Sequence, residues 1–315
     1  MALHAWRLGW GLIVSHALTV DVEDWVNATV LQCTGRVTPP TEAVQQNCLR
    51  LLDLLREGSA RATWFFLGDV ADRFPELVRR VRDAGHEVGV HGGYSHHAVG
   101  ALPAAEFRES LVRTKKLLED AGGCEVVGYR APDFSIDRDT AWALDVLLEL
   151  GFRYDASLFP MRTPRYGVAG APRRAHWVRT PSGAAIFEVP TTVGSLLGVR
   201  FPFAGGSYFR LLPFGLVKLL AAVTGRRAPL VFYLHPCEVE RADSPATLPA
   251  SLSADEVSVV RRRERVERRG RASGAAKVRR LLREFRFDTI EAVFGVRDLV
   301  APKHVTTAFG EADGG

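Results

Sequence analysis

Three of the nine histidines fall within seven residues, His91-Gly92-Gly93-Tyr94-Ser95-His96-His97. Imidazoles this close, separated by glycines that let the backbone turn tightly, suit a divalent metal. Upstream, Asp21-Val22-Glu23-Asp24 groups three carboxylates that can ligate a metal or serve as a general base; the same acidic turn can equally cap the segment that follows it. Arg130, in Gly128-Tyr129-Arg130-Ala131-Pro132, is a fixed cation that can hold an anion in place or pair with a surface carboxylate. His235, between the apolar run Leu230–Leu234 and Pro236, is either a proton donor or a core histidine. Together with Asp155, these residues suffice for a metal, a base, an acid and an orienting cation, the set that hydrolysis of a carbonyl derivative needs.

Their positions are what unites them. Short apolar runs at 17–22, 62–67, 87–91, 126–130, 153–157, 186–189 and 230–235 alternate with amphipathic stretches at 41–56, 75–84, 104–120, 138–150, 209–223 and 255–285. This is the pattern of β-α units. Gly58, Gly85, Gly122 and Gly151 follow helical stretches, as C-terminal caps do. Each candidate polar residue lies on one of the strands or at its end, and in a β/α barrel the C-terminal strand ends share one mouth. The pattern predicts an α/β fold, a distorted (β/α) barrel of about seven parallel strands with a C-terminal helical extension. The expected divisions are an N-terminal extension (1–16), the barrel (17–240), and a linker with a basic helical extension (241–315).

Charge excludes some partners. The net +5 hides an asymmetry: residues 261–283 hold eleven bases against two acids, a local +9 that leaves −4 elsewhere. An acidic body argues against nucleic acid. The run Arg261–Arg269 reads first as a solvated helix face with pairs such as Glu264 and Arg268. The alternative is contact with an acidic polysaccharide, a lipid pyrophosphate or a membrane surface. Four dispersed cysteines (33, 48, 124 and 237) suggest neither a zinc knuckle nor a disulfide framework, and a cytoplasmic setting is expected. A leader ending near Ser15-His16-Ala17 would leave Asp21 four residues from the new terminus, so a start near Val14 or a plain extension is the other reading.

In their order, the polar segments resemble the motifs of the polysaccharide deacetylase family, the NodB-homology enzymes of carbohydrate esterase family 4. Thr19–Trp25 resembles the first motif, His91–His97 the second, Tyr129–Pro132 the third, Tyr154–Pro160 the fourth and Phe232–Pro236 the fifth. The resemblance covers about residues 17–240. Gly205–Pro213 and Lys277–Ala292 are similar to the branch linked to exopolysaccharide loci. It implies a hydrolase that removes N-acetyl groups from amino-sugar residues of a polysaccharide or its precursor. Zinc or a similar divalent ion would be held by His91, His96 and Glu23 or Asp24, polarising the acetamide carbonyl and holding a water. Asp21 would be the base, Arg130 would fix Asp21, and His235 would protonate the leaving amine. Tyr233 and Leu234 would line the acetyl pocket, with Tyr94 and Pro132 also against substrate and a backbone N–H near Tyr94 assisting the oxyanion.

The chain departs from the family pattern in three places. Val22 stands where the family has its second aspartate. His91 and His96 are five apart rather than four, a spacing that would not share a helical face but that a turn at Gly92-Gly93 can absorb. Cys237 replaces the branch's tryptophan. The altered histidine spacing motivates one alternative, a metal-free C–N hydrolase similar to allantoinase, and a catalytically degenerate carbohydrate-binding subunit is another. Partners expected are the N-acetylated glycan and, peripherally, the membrane or the exopolysaccharide machinery.

Overall fold

Strand β1 (His16–Val22) uses both of its faces. Leu18, Val20 and Val22 are fully buried in the apolar layer beneath the helices, while Thr19 and Asp21 alternate to the opposite face and meet Arg130 there. The computed structural model describes residues 15–196, 199–226, 228–240, 246–302, 305 and 309. The expected N-terminal extension lies outside the described residues up to Val14.

The other strands are β2 (Thr63–Phe66), β3 (Glu87–His91), β4 (Gly128–Arg130), β5 (Tyr154–Asp155), β6 (His176–Arg179), β7 (Ala185–Glu188), β8 (Val193–Leu196), β9 (Val199–Pro202), β10 (Val231–Leu234) and β11 (Phe287–Asp288). In the order β10-β1-β2-β3-β4-β5-β7, seven strands run parallel, and they are the seven that the apolar runs predict. β6 adds antiparallel to β7, and β8 with β9 forms a separate hairpin. The curled sheet is a half-barrel. Between β7 and β10 the seam is closed by loop backbone instead of a strand ladder: Thr192 N–H donates to Val231 O at 3.1 Å and Tyr233 N–H to Ala204 O at 2.9 Å.

Two predicted helices break where the chain dictates. The stretch expected at 209–223 divides at Pro213 into helices Gly206–Leu211 and Phe214–Thr224, since proline lacks the N–H that would continue the first. The long stretch 255–285 divides at Gly270, whose φ of +79° ends helix Ala254–Glu267 before helix Gly274–Glu284 begins. Helices Trp25–Thr34 and Gly68–Arg73 have no counterpart in the sequence reading. The first of these is buried along most of its length, which erases the apolar period.

The C-terminal stretch expected as an extension is stitched into the body. Val260 packs with Trp25, Val26, Val30 and Cys237. Leu282 closes on Gly58, where a Cβ would leave only 2.9 Å. β11 pairs with the first residues of β1, and Ile290 joins Phe65, Tyr154 and Val231 in the apolar plug inside the curl.

Two buried histidines at the lower rim are held neutral. His16 accepts from Leu230 N–H at 3.2 Å and His86 from Ala62 N–H at 3.1 Å, and burial pulls each down to about 4. Between their ordinary value and pH 4, the unfolded chain takes up protons that the folded chain refuses, so stability falls with pH across that window. Thermal unfolding followed by circular dichroism should therefore show a midpoint that drops from pH 6.5 to 4. His86→Gln, which keeps an acceptor but does not titrate, should drop by less.

Candidate active site

The end of β1 decides which carboxylates enter the mouth. Asp21 and Glu23 line a cavity of about 350 Å³, and Val22 between them faces the helix layer, so the residue in the place of the family's second aspartate could not have reached the cavity from this strand. Asp24, expected as an alternative metal ligand, is instead the N-cap of helix Trp25–Thr34. It accepts from Val26 N–H at 3.0 Å and also from Thr41 N–H, which commits both of its oxygens. The capping reading of the acidic turn applies to Asp24 alone.

The extra residue between the histidines is taken up by a turn. His91 closes β3, and Gly92 follows at φ +62° with the ring of Pro132 filling the space that a Cβ would occupy. Ser110 Oγ likewise fills the Cβ space of Gly93. Because residues 92–95 are not helical, the spacing rule for helical faces does not apply, and His96 returns to the same carboxylate as His91. Glu23 Oε2 lies 2.7 Å from His96 Nε2 and 3.4 Å from His91 Nε2. Among the described residues, Glu23, His91 and His96 are the three whose ligand atoms all lie within 4.8 Å of one another.

This donor set fits a divalent metal. His91 Nδ1 lies 3.0 Å from Arg130 O, and since a carbonyl only accepts, that nitrogen carries the proton and Nε2 keeps its lone pair. Two imidazoles and one carboxylate on a partly open wall are ligands that zinc takes, with a position left for substrate or water. Burial opposes charge on Glu23, yet the charge and the hydrogen bond of His96 hold its carboxyl well below the usual range. Burial likewise disfavours the His96 cation, but Glu23 outweighs it and pushes His96 up to about 9.

Behind the cavity, Arg130 is completely buried. Its Nη1 donates to Asp21 Oδ1 at 2.8 Å and Thr19 Oγ1 at 2.6 Å, its Nε donates to Ala156 O at 3.0 Å, and it lies 4.7 Å from the Phe65 ring centroid. Asp155 does not enter the cavity lining. It accepts from Ser157 Oγ and is paired with Glu188, which burial and the charge of Asp155 push well above the carboxylate range, so Glu188 carries the proton of that pair.

On β10, alternation again sorts the residues. Tyr233 and His235 line the cavity, whereas Leu234 is fully buried in the helix-side layer and does not line it. Tyr94 also lies outside the lining: its hydroxyl donates to Asp72 at 2.6 Å and the Arg113 guanidinium stacks on its ring at 3.5 Å. Its N–H is committed to Ser110 Oγ at 2.7 Å, so it is not free to meet an oxyanion. Pro132 supports the Gly92 turn from behind instead of touching the cavity.

Sequence reasoning missed much of the rim. Trp25, Tyr166 and Tyr208 line it, as do Arg263, Glu267 and Arg271 from the C-terminal stretch. The pairs Arg263–Glu267 at 2.8 Å, Arg261–Glu264 at 2.5 Å and Arg268–Glu264 at 3.4 Å match the paired-helix reading of the basic run. Asp133 and Phe134 hold left-handed φ values of +52° and +49°, and Phe134 packs its ring edge-on to Tyr233 at 5.2 Å. Strained non-glycine residues carry no mark in the sequence.

The profile of the polysaccharide deacetylase family matches residues 37–154, and that of a domain of unknown function, DUF3473, matches residues 156–295. The chain carries a polysaccharide deacetylase domain of the NodB-homology, carbohydrate esterase family 4 type. It is 38% identical over 109 residues to the peptidoglycan deacetylase of Helicobacter pylori, a match covering 35% of this chain and 36% of that protein. It is 31% identical over 97 residues to the peptidoglycan-N-acetylglucosamine deacetylase of Bacillus cereus, covering 30% and 35%. The chain thus spans about a third of the length of these curated relatives. A presumed polysaccharide deacetylase from Mycobacterium smegmatis shares the fold with TM-score 0.50, 20% identity and coverage of 90% and 94%. Puue allantoinase shares it with TM-score 0.50, 18% identity and coverage of 71% and 78%.

Removing Arg130 would strand the buried Asp21 carboxylate without its partner. Arg130→Met should cost about 3–5 kcal/mol in denaturant unfolding.

Proposed function

We propose that the protein is a metal-dependent hydrolase that removes N-acetyl groups from amino-sugar residues of a polysaccharide or its precursor. The observation that carries this is the meeting of Glu23, His91 and His96 with the Arg130-held Asp21 and with His235 in one cavity. The relatives' names point to peptidoglycan, a polymer of N-acetylated amino sugars, as the substrate class. The DUF3473 match, lying over Gly205–Pro213 and Lys277–Ala292, supports a place in exopolysaccharide biosynthesis.

Glu23, His91 and His96 would hold the ion, with zinc the best fit to their nitrogen and carboxylate donors. Bound there, it would supply Lewis acidity toward the acetamide carbonyl. Asp21 acts as general base: Arg130 donates to Oδ1, which leaves Oδ2 to take a proton from the attacking water. His235 then gives its proton to the departing amine. Burial disfavours that proton, but the Glu238 hydrogen bond and the charges of Glu23, Glu238 and Asp21 push His235 up to about 9. Tyr233, against Phe134, offers the wall for the acetyl methyl, and Tyr166 and Tyr208 offer rings for sugar faces. The metal-free alternative rested on the five-residue histidine spacing, and the glycine turn removes that motive.

Zinc-loaded protein should release acetate from N-acetylglucosamine oligomers, and Asp21→Asn should lower kcat by about 10²–10⁴-fold. Elemental analysis should find bound metal in the wild-type chain and much less in His91→Ala and His96→Ala. Activity that survives exhaustive chelation would overturn the metal reading. No acetate release together with no bound metal would overturn the whole proposal.

A further inference from the structure

Glu238 lies three residues beyond His235, in the short helical turn Pro236–Val239, and is only 2% exposed. Its Oε1 stands between two cations, 3.4 Å from His235 Nδ1 and 4.0 Å from Arg210 Nη1. On the other side of the imidazole, Nε2 turns toward the metal-ligand group, 3.7 Å from Glu23 Oε1. Glu238 does not itself line the cavity, so it has no access to substrate.

The carboxylate is held from the C-terminal stretch. Arg210, itself 5% exposed, donates through Nε to Arg269 O at 2.7 Å and through Nη2 to Ser207 Oγ at 3.1 Å. Lys277 Nζ ties down the backbone after Arg210, donating to Arg210 O at 2.5 Å and Leu212 O at 2.8 Å. Gly274 packs so closely on the Glu238 carbonyl that a Cβ there would collide with it. Of the other acids nearby, Asp21 is held by Arg130 at 2.8 Å, Glu240 accepts from Arg271 at 3.0 Å, and Glu267 shares Arg210 from 3.6 Å.

We propose that Glu238 is a positioning residue for His235. By accepting from Nδ1–H it fixes the ring so that Nε2–H faces the scissile nitrogen, and the stretch 254–284 acts on the reaction through Arg210 and the Glu238 turn. This rests on the deacetylase reading above. An acid that must protonate an amine matters for amide cleavage and not for the departure of nitrophenolate, which leaves without a proton.

The test compares full-length, zinc-loaded protein on an N-acetylglucosamine oligomer and on para-nitrophenyl acetate. Glu238→Ala should lower kcat on the oligomer by about tenfold or more, with KM within about twofold and nitrophenyl acetate turnover within about twofold. Glu238→Gln, whose amide oxygen can still accept from Nδ1–H, should recover part of the loss, and it decides the matter alone if the alanine variant does not fold. Equal losses on both substrates, or undiminished kcat on the oligomer in a folded variant, would overturn the assignment. A wild-type chain that cleaves neither substrate would instead overturn the deacetylase reading, so the two failures are told apart.

Discussion

A guanidinium with no exposed surface persists only where contacts offset its lost water, and Arg130 finds them at Nε, at Nη1 and on its planar face, while Nη2 is left without a hydrogen-bond partner among the described residues. It joins Thr19 and Asp21 of β1 to the carbonyl of Ala156 just after β5, across three intervening strands, with the Phe65 ring against it. Its own carbonyl accepts from His91 Nδ1 and from Gly92 N–H at 2.7 Å. One residue therefore sets the direction of the Asp21 carboxylate, the tautomer of His91 and the start of the turn that returns His96 to Glu23. The same ties keep the parallel strands curled around a polar centre, which apolar packing alone would have no reason to leave open.

The seven parallel strands were legible because each is a short apolar run followed by a turn or a helical period, a signal that survives without tertiary context. The side of the strand a residue takes was also legible in principle. Alternation along β1 turns Asp21 to the cavity and Val22 away from it, and along β10 it admits Tyr233 and excludes Leu234. Tyr94 and Pro132 were not legible. Both sit in a loop where the direction of a side chain depends on partners such as Ser110, Asp72 and Gly92, brought in from elsewhere in the chain.

Residues beyond 246 show a different limit. Their composition reads as a charged surface helix, and the pairing of Arg261, Arg263 and Arg268 with Glu264 and Glu267 agrees. Yet Glu264 is nearly buried and accepts from Ala246 N–H, while Arg271 stacks over Trp25 at 4.5 Å. A run that looks peripheral by charge is thus part of the wall around the cavity. Long Arg stems cover apolar surface while their heads find carboxylates, so a basic stretch does not by itself mark a segment that stands apart.

The pairing of β1 has a bearing on how the protein is made. Its residues Ala17–Val20 take partners from β10, more than 200 positions later, and His16 and Ala17 take partners from β11, later still. Neighbours so distant in the chain impose slow, late closure, because the loop between them must be ordered before the contact repays it. During synthesis, Asp21 emerges long before the strand that will flank it exists. The side chain placed earliest in the polypeptide is among the last to reach its working position, and until then the inner strand of the sheet remains an unpaired edge that a chaperone or a neighbouring chain can capture.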